Sequence, residues 1–167
     1  MPFLCPRERF CRVSDLSAEE LHRMGVKALL LDVDNTLSLH HAKAPFDDVP
    51  AWLDTMKEQG ITLCVVSNSK RNRVAPFAES LGLDFIWSAA KPLPFGIRKA
   101  LRRYHLKGHE AALVGDQLLT DALGAKLAGV KIVLVKYRKL EPGFGFWLKR
   151  KIEAPLLKGK PFRGEEE

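Results

Sequence analysis

The run KALLLDV (27–33) is continuously apolar yet only seven residues long. That is too short for a buried helix and suits a strand covered on both faces. Four more short runs follow: ITLCVVS (61–67), the weaker and edge-like LDFIWSA (83–89), EAALVGD (110–116) and KIVLVK (131–136). Between them apolar residues recur at helical spacing, as in Val49, Trp52, Leu53 and Met56, then Val74, Phe77, Ala78 and Leu81, then Ile97, Ala100, Leu101 and Tyr104. A further helix is predicted near 119–128. Strands alternating with helices imply a parallel sheet joined by right-handed crossovers, a three-layer α/β/α Rossmann-like fold.

Ahead of the first run, Ser17 and Glu20 have the spacing of a capping box, and Gly25 stops the short helix that follows. The 167 residues suit one domain, and a content of 46% apolar and 28% charged residues excludes wholesale disorder. We expect a single domain over 1–140 that includes this lead-in helix, followed by a basic, aromatic tail over 141–167. The formal charge of +7 is unevenly placed: residues 136–163 carry nine basic and two acidic side chains, and the main body is close to balanced.

Three cysteines, Cys5, Cys11 and Cys64, cannot form a complete disulfide framework, and Cys5 and Cys11 lack the partners of a zinc site. Cys64 reads as a small core residue. The start MPFLCPRERF places charge where a signal peptide needs its apolar region, and no stretch approaches a membrane span. The expected location is cytoplasmic, with peripheral contact at the inner membrane surface left open.

In open parallel sheets the ligand sits beyond the carboxyl ends of the strands. The first run ends in Asp32, Asp34, Asn35 and Thr36, the second in Ser67 and Asn68, the third in Lys91-Pro92, and the fourth in Gly115-Asp116 with Asp121 five residues on. Four carboxylates on one sheet edge are costly unless a cation neutralises them. A hard cation with oxygen ligands, most simply Mg²⁺, removes that cost. The Ser67 hydroxyl and the Lys91 ammonium suit phosphate oxygens, so the residues alone point to metal-assisted phosphoryl chemistry.

LLLDVDNTL, VVSNS, Lys91-Pro92 and VGDQLLTD resemble, in order, the four motifs of the haloacid dehalogenase (HAD) phosphatases, over residues 27–135. With the lead-in PRERFCRVSDLSAEELHRMGVKALLLDVDNTL, the Asp-x-Asp-Asn-Thr signature resembles more narrowly the YqeG-like and phosphatidylglycerophosphate phosphatases. The resemblance implies a five-stranded order 5-4-1-2-3 with a minimal cap. It also implies Asp32 as nucleophile through an aspartyl-phosphate and Asp34 as general acid and base. Mg²⁺ would be held by Asp32, Asp116 and the Asp34 backbone carbonyl. Thr36 would orient Asp34 by a hydrogen bond. Ser67 and the Asn68 backbone N–H would grip the phosphoryl group, Lys91 would neutralise its charge, and Asp121 would support the metal and Lys91. His40 and His41, without a partner pattern, read as solvated loop residues.

Only about ten residues separate the first motif from the next helix, and no crossover hosts an inserted domain. The site should therefore be open to a phosphate on something bulky. In the tail, Phe144, Leu148 and Ile152 share a helical face with Trp147 beside them, while Lys149, Arg150 and Glu153 point away. Aromatic plus basic is the composition of an interfacial segment, the alternative being that Trp147 and its neighbours pack on the domain. The expected function is dephosphorylation of phosphatidylglycerophosphate to phosphatidylglycerol. The alternatives are a phosphatase of a soluble sugar or nucleotide phosphate, and a non-catalytic regulatory or nucleic-acid-associated module. Nucleic acid is disfavoured, because no stacking platform with interleaved basic residues is present.

Overall fold

A computed structural model describes residues 6, 8–159 and 161–164. Six parallel strands form one sheet: β1 (Arg9–Phe10), β2 (Ala28–Leu31), β3 (Thr62–Val66), β4 (Asp84–Ile86), β5 (Ala111–Gly115) and β6 (Lys131–Val135). Their spatial order is β1-β6-β5-β2-β3-β4. The α/β class is the one expected, and the five apolar runs keep the expected mutual order. The count is corrected from five to six, because β1 adds an edge strand beside β6, with Arg9 opposite Leu134 and Phe10 opposite Val135. Two residues, of which one points inward, leave no apolar run to read. Beyond β1, Arg163 continues the pairing: its N–H donates to the Arg9 carbonyl at 2.9 Å, and its carbonyl accepts from Cys11 N–H at 2.8 Å.

Six helices complete the described fold: α1 (Ala18–Arg23), α2 (Val49–Glu58), α3 (Arg71–Ser80), α4 (Phe95–Arg103), α5 (Leu123–Ala128) and α6 (Phe144–Leu157). The capping box is present, with Ser17 Oγ accepting from Glu20 N–H at 3.2 Å and Glu20 Oε2 accepting from Ser17 N–H at 3.1 Å. Alternate residues of the central strands face opposite layers. Leu29, Leu31, Leu63 and Val65 pack with Leu21, Trp52, Met56 and Phe77 of α1–α3. Leu30, Cys64, Val66 and Leu113 pack with Ile97, Leu101 and Ala125 of α4 and α5. The Trp52 indole donates to the Leu16 carbonyl at 2.8 Å, which satisfies its one buried polar atom. Cys64 is a free, buried core thiol as expected, whereas Cys5 and the closing Glu165–Glu167 lie outside the described residues. Among the described residues, no helix is long and apolar enough to cross a membrane.

Of the two arrangements left open for the tail, α6 takes the one with its aromatic face outward, and Trp147 does not pack on the domain. Arg150 and Glu153 are buried, at 9% and 2% exposure, and turn toward the domain, while Phe144 is 74% and Trp147 51% exposed. The reason lies in the partners: a buried charge is tolerated when paired, and Arg150 meets Asp116, Glu141 and Glu153. The aromatic face is left outward.

Candidate active site

The strands deliver their terminal residues to one edge, as the parallel topology requires. Asp32 follows β2, Ser67 and Asn68 follow β3, Lys91 lies on the connection after β4, and Asp116 follows β5. Asp121 sits in a π-helical turn (118–122) that leads into α5. Gly115 makes room for it, since a Cβ at that position would stand 2.3 Å from the Asp121 carboxylate.

Lys91 is at the centre. Its Nζ donates to Asp32 Oδ1 at 2.7 Å and to Asp121 Oδ1 at 2.6 Å, with all three residues buried. The Lys91 backbone is clasped by Asn68, whose carboxamide accepts from Lys91 N–H at 2.7 Å and donates to the Lys91 carbonyl at 2.8 Å. The Asn68 side chain thus has a role that sequence reasoning, which looked to its backbone N–H, did not assign. Ser67 Oγ accepts from Ser69 N–H at 3.1 Å, which leaves its own proton to donate.

Burial pushes the Asp32 carboxyl up to about 7, with Lys91 pulling the other way. Asp116 is also raised, again chiefly by burial, against the pull of Arg150. For Lys91, burial disfavours the cation, but Asp121 and Asp32 outweigh it and keep it protonated. Asp32, Asp116 and Asp121 bring ligand oxygens within 4.8 Å of one another, a group that could hold a metal ion. Asp116 Oδ1 is buried and has no hydrogen-bond partner among the described residues. An oxygen-only donor set with such an orphaned carboxylate atom suits a hard divalent cation.

Asp34 lies on the same cavity, and its surroundings differ from expectation. Its Oδ1 accepts from Arg73 Nη2 at 3.1 Å and from His41 N–H at 3.2 Å, and His40 Nδ1 lies 3.6 Å from its Oδ2. The Thr36 hydroxyl is buried without a hydrogen-bond partner among the described residues, so it does not orient Asp34 here. Arg73 on α3 takes that position. Nor is His40 a solvated loop residue, since it lines the cavity and meets the Phe146 ring edge-on at 5.1 Å. Arg73 stands 39 residues from Asp34 and no local pattern ties them.

The cavity has a volume of about 200 Å³ and joins Asp32, Asp34, Ser67, Asn68 and Lys91 to His40, Phe146 and Lys149. The last two come from α6. No separate domain covers the site from the short loop after β2.

The family model of the haloacid dehalogenase-like hydrolases matches residues 13–129. The chain is 33% identical to the probable phosphatase YqeG of Bacillus subtilis over 162 residues, covering 97% of this chain and 94% of that protein. Among solved structures it is similar to NagD from Escherichia coli K-12, with a TM-score of 0.60, 15% identity, and 83% and 94% of the two chains covered. It is likewise similar to the 4-nitrophenylphosphatase of Thermotoga maritima, with a TM-score of 0.60, 12% identity, and 71% and 89% covered. The chain belongs to the haloacid dehalogenase-like hydrolases and is an enzyme of their phosphatase type.

Proposed function

We propose that the protein is a Mg²⁺-dependent phosphomonoester hydrolase that forms an aspartyl-phosphate on Asp32, and that it acts on phosphatidylglycerophosphate at an anionic membrane surface. The observation that carries the chemistry is Lys91 bridging Asp32 and Asp121 at 2.7 and 2.6 Å beside the unpartnered Asp116 Oδ1.

Asp32, Asp116 and the Asp34 carbonyl would hold Mg²⁺, with Asp121 beside them. When bound, the ion supplies positive charge against the phosphoryl oxygens and keeps the carboxylates ionised. Asp32 attacks phosphorus, and the bond from phosphorus to the leaving oxygen breaks as the new one forms. Asp34 gives its proton to that oxygen, then takes one from the water that cleaves the aspartyl-phosphate. Lys91, fixed by Asn68, stabilises charge on the transferring group without having to reorganise, and the Ser67 hydroxyl donates to it.

The lipid reading draws on exposed apolar side chains. Leu39, Trp87 and Leu93 lie on the connections after β2 and β4, Phe95 opens α4, and Phe144 and Trp147 belong to α6, whose Phe146 lines the cavity. Lys149 and Lys151 of α6 stand among the exposed aromatics, with Lys151 Nζ 5.2 Å from the Trp147 ring. Apolar side chains with interleaved lysines suit the interface of an anionic bilayer.

The test is Mg²⁺-dependent phosphate release from phosphatidylglycerophosphate in mixed micelles, with Asp32→Asn as the blank and 4-nitrophenyl phosphate as a soluble comparison. Release from the lipid by wild type alone is expected. Hydrolysis of the aryl phosphate without the lipid would replace the substrate by a soluble phosphomonoester, and hydrolysis of neither would overturn the reading.

A further inference from the structure

Arg150 enters the site from α6, a segment outside the four motifs. Its guanidinium meets the Asp116 carboxylate through Nη2, Glu141 at 3.0 Å and Glu153 at 3.2 Å. Nη1 also donates to the Asp116 main-chain carbonyl at 3.1 Å, and the Tyr137 ring lies 4.4 Å from the guanidinium carbon. One planar fork thus grips side chain and main chain of the same residue, a geometry that a lysine ammonium does not reproduce.

A carboxylate held by one oxygen has little freedom to turn the other. Arg150 occupies Asp116 Oδ2, the remaining oxygen, Oδ1, is buried without a hydrogen-bond partner among the described residues, and Asp116 belongs to the acidic group with Asp32 and Asp121. The charge of Arg150 is offset by Glu141 and Glu153, both buried and each sharing a guanidinium nitrogen with Asp116, which lessens its repulsion of a cation at that cluster. Glu153 accepts in addition from Leu119 N–H at 3.1 Å, in the same turn that carries Asp121. Arg150 and Glu153 thus tie α6 to Asp116 and to the turn that carries Asp121.

We propose that Arg150 is a positioning residue for the metal site: it pins Asp116 through Oδ2 and the main-chain carbonyl, leaves Oδ1 for a divalent cation, and makes the docking of α6 a condition of metal loading. The proposal rests on Asp116 being a metal ligand, as in the proposed function, and it adds a requirement that the four motifs do not contain.

Mn²⁺ binding to the full chain, followed by the paramagnetic resonance of the free ion, tests it. Wild type is compared with Arg150→Lys, Arg150→Ala and Asp116→Asn. Both Arg150 variants should bind at least tenfold more weakly than wild type, and millimolar methylguanidinium should restore part of the affinity of Arg150→Ala but none to Asp116→Asn. Binding by the Arg150 variants as tight as wild type, or tighter, would overturn the proposal. Loss of the folded circular dichroism spectrum in both would also overturn it, by assigning Arg150 a purely structural part. Wild type that binds Mn²⁺ through Asp116 yet hydrolyses no phosphomonoester would overturn the hydrolase reading and leave this one standing. Asp116→Asn binding as tightly as wild type would overturn both.

Discussion

Asn35 clasps Lys139 across 104 residues of chain: its carboxamide donates to the Lys139 carbonyl at 2.9 Å and accepts from the Lys139 N–H at 3.2 Å. Asn35 does this from a left-handed backbone, φ 60°, which asparagine tolerates better than most residues. The residue between the second aspartate and the threonine of the first motif therefore anchors the segment that leads into α6. Arg138, next to Lys139, donates from Nη2 to both carboxylate oxygens of Asp48, at 2.9 and 2.8 Å, and strengthens the same junction.

Replacing Asn35 with Ala should cost about 2–3 kcal/mol, roughly 1 for each lost hydrogen bond and about 1 for the left-handed backbone. Asn35→Gly loses the bonds without the backbone penalty and should cost less. Urea denaturation gives both values. Limited proteolysis should show cleavage near residues 137–143 rising in both variants, and unchanged protection there would refute the anchoring role.

The Lys91 bridge predicts a large effect on rate. Lys91→Met should lower kcat by about 10²–10³-fold, the usual cost of removing one preorganised donor from a developing charge. It also leaves Asp32 and Asp121 buried without their shared cation. The variant should therefore be less stable than wild type without metal and recover part of that deficit with Mg²⁺. A kcat within threefold of wild type would contradict the assignment.

The strands were legible because buried parallel strands must be apolar on both faces, and runs such as ALLL in β2 admit little else. The site carboxylates followed from those runs, since the sheet edge gathers whatever stands at the strand ends. What stayed hidden depends on contacts between distant residues. Arg150 and Glu153 look like a solvated helix face until Asp116 and Glu141 are placed against them. Apolar periodicity does not tell which way the face of such a tail helix turns, and α6 turns its aromatics outward because its polar face has buried partners. Likewise Arg73 and His40 acquire meaning only from Asp34, and β1 is too short to carry a pattern.

The surroundings of Asp34 separate this chain from what its motif alone implies. Thr36 Oγ1 makes no hydrogen bond among the described residues, so Thr36→Val, which keeps the shape, should change kcat less than twofold and leave stability equal or slightly higher. Arg73→Gln removes the 3.1 Å contact to Asp34 and should lower kcat about tenfold, a part of the roughly 10²–10⁴-fold that general acid–base catalysis contributes. Steady-state kinetics on 4-nitrophenyl phosphate decides the order; a larger loss in Thr36→Val would restore the orienting role to the threonine.

If the exposed face of α6 meets a bilayer, its aromatic side chains should matter for vesicles and not for chemistry. The double substitution Phe144→Ser and Trp147→Ser exposes no new core, because both residues are already more than half exposed. It should weaken sedimentation with phosphatidylglycerol vesicles by at least tenfold while leaving aryl phosphate hydrolysis within twofold. Binding that survives the double substitution would move the contact away from α6.

Asp32 contributes a defined part of the pH response. Its folded pKa of about 7 lies above the ordinary value of 3.8, chiefly through burial, so protonation of this group favours the metal-free fold. That contribution is complete below about pH 4 and is lost as pH rises through about 7. Without metal, the stability of wild type relative to Asp32→Asn should therefore fall across that window, a difference readable from paired urea titrations. A divalent cation must displace the same proton, so its affinity should rise as pH passes through about 7. Calorimetric titration with Mg²⁺ at several pH values checks this second limb. An affinity that does not change between pH 5.5 and 7.5 would show that Asp32 is already ionised in the metal-free protein, and that Lys91 outweighs burial there.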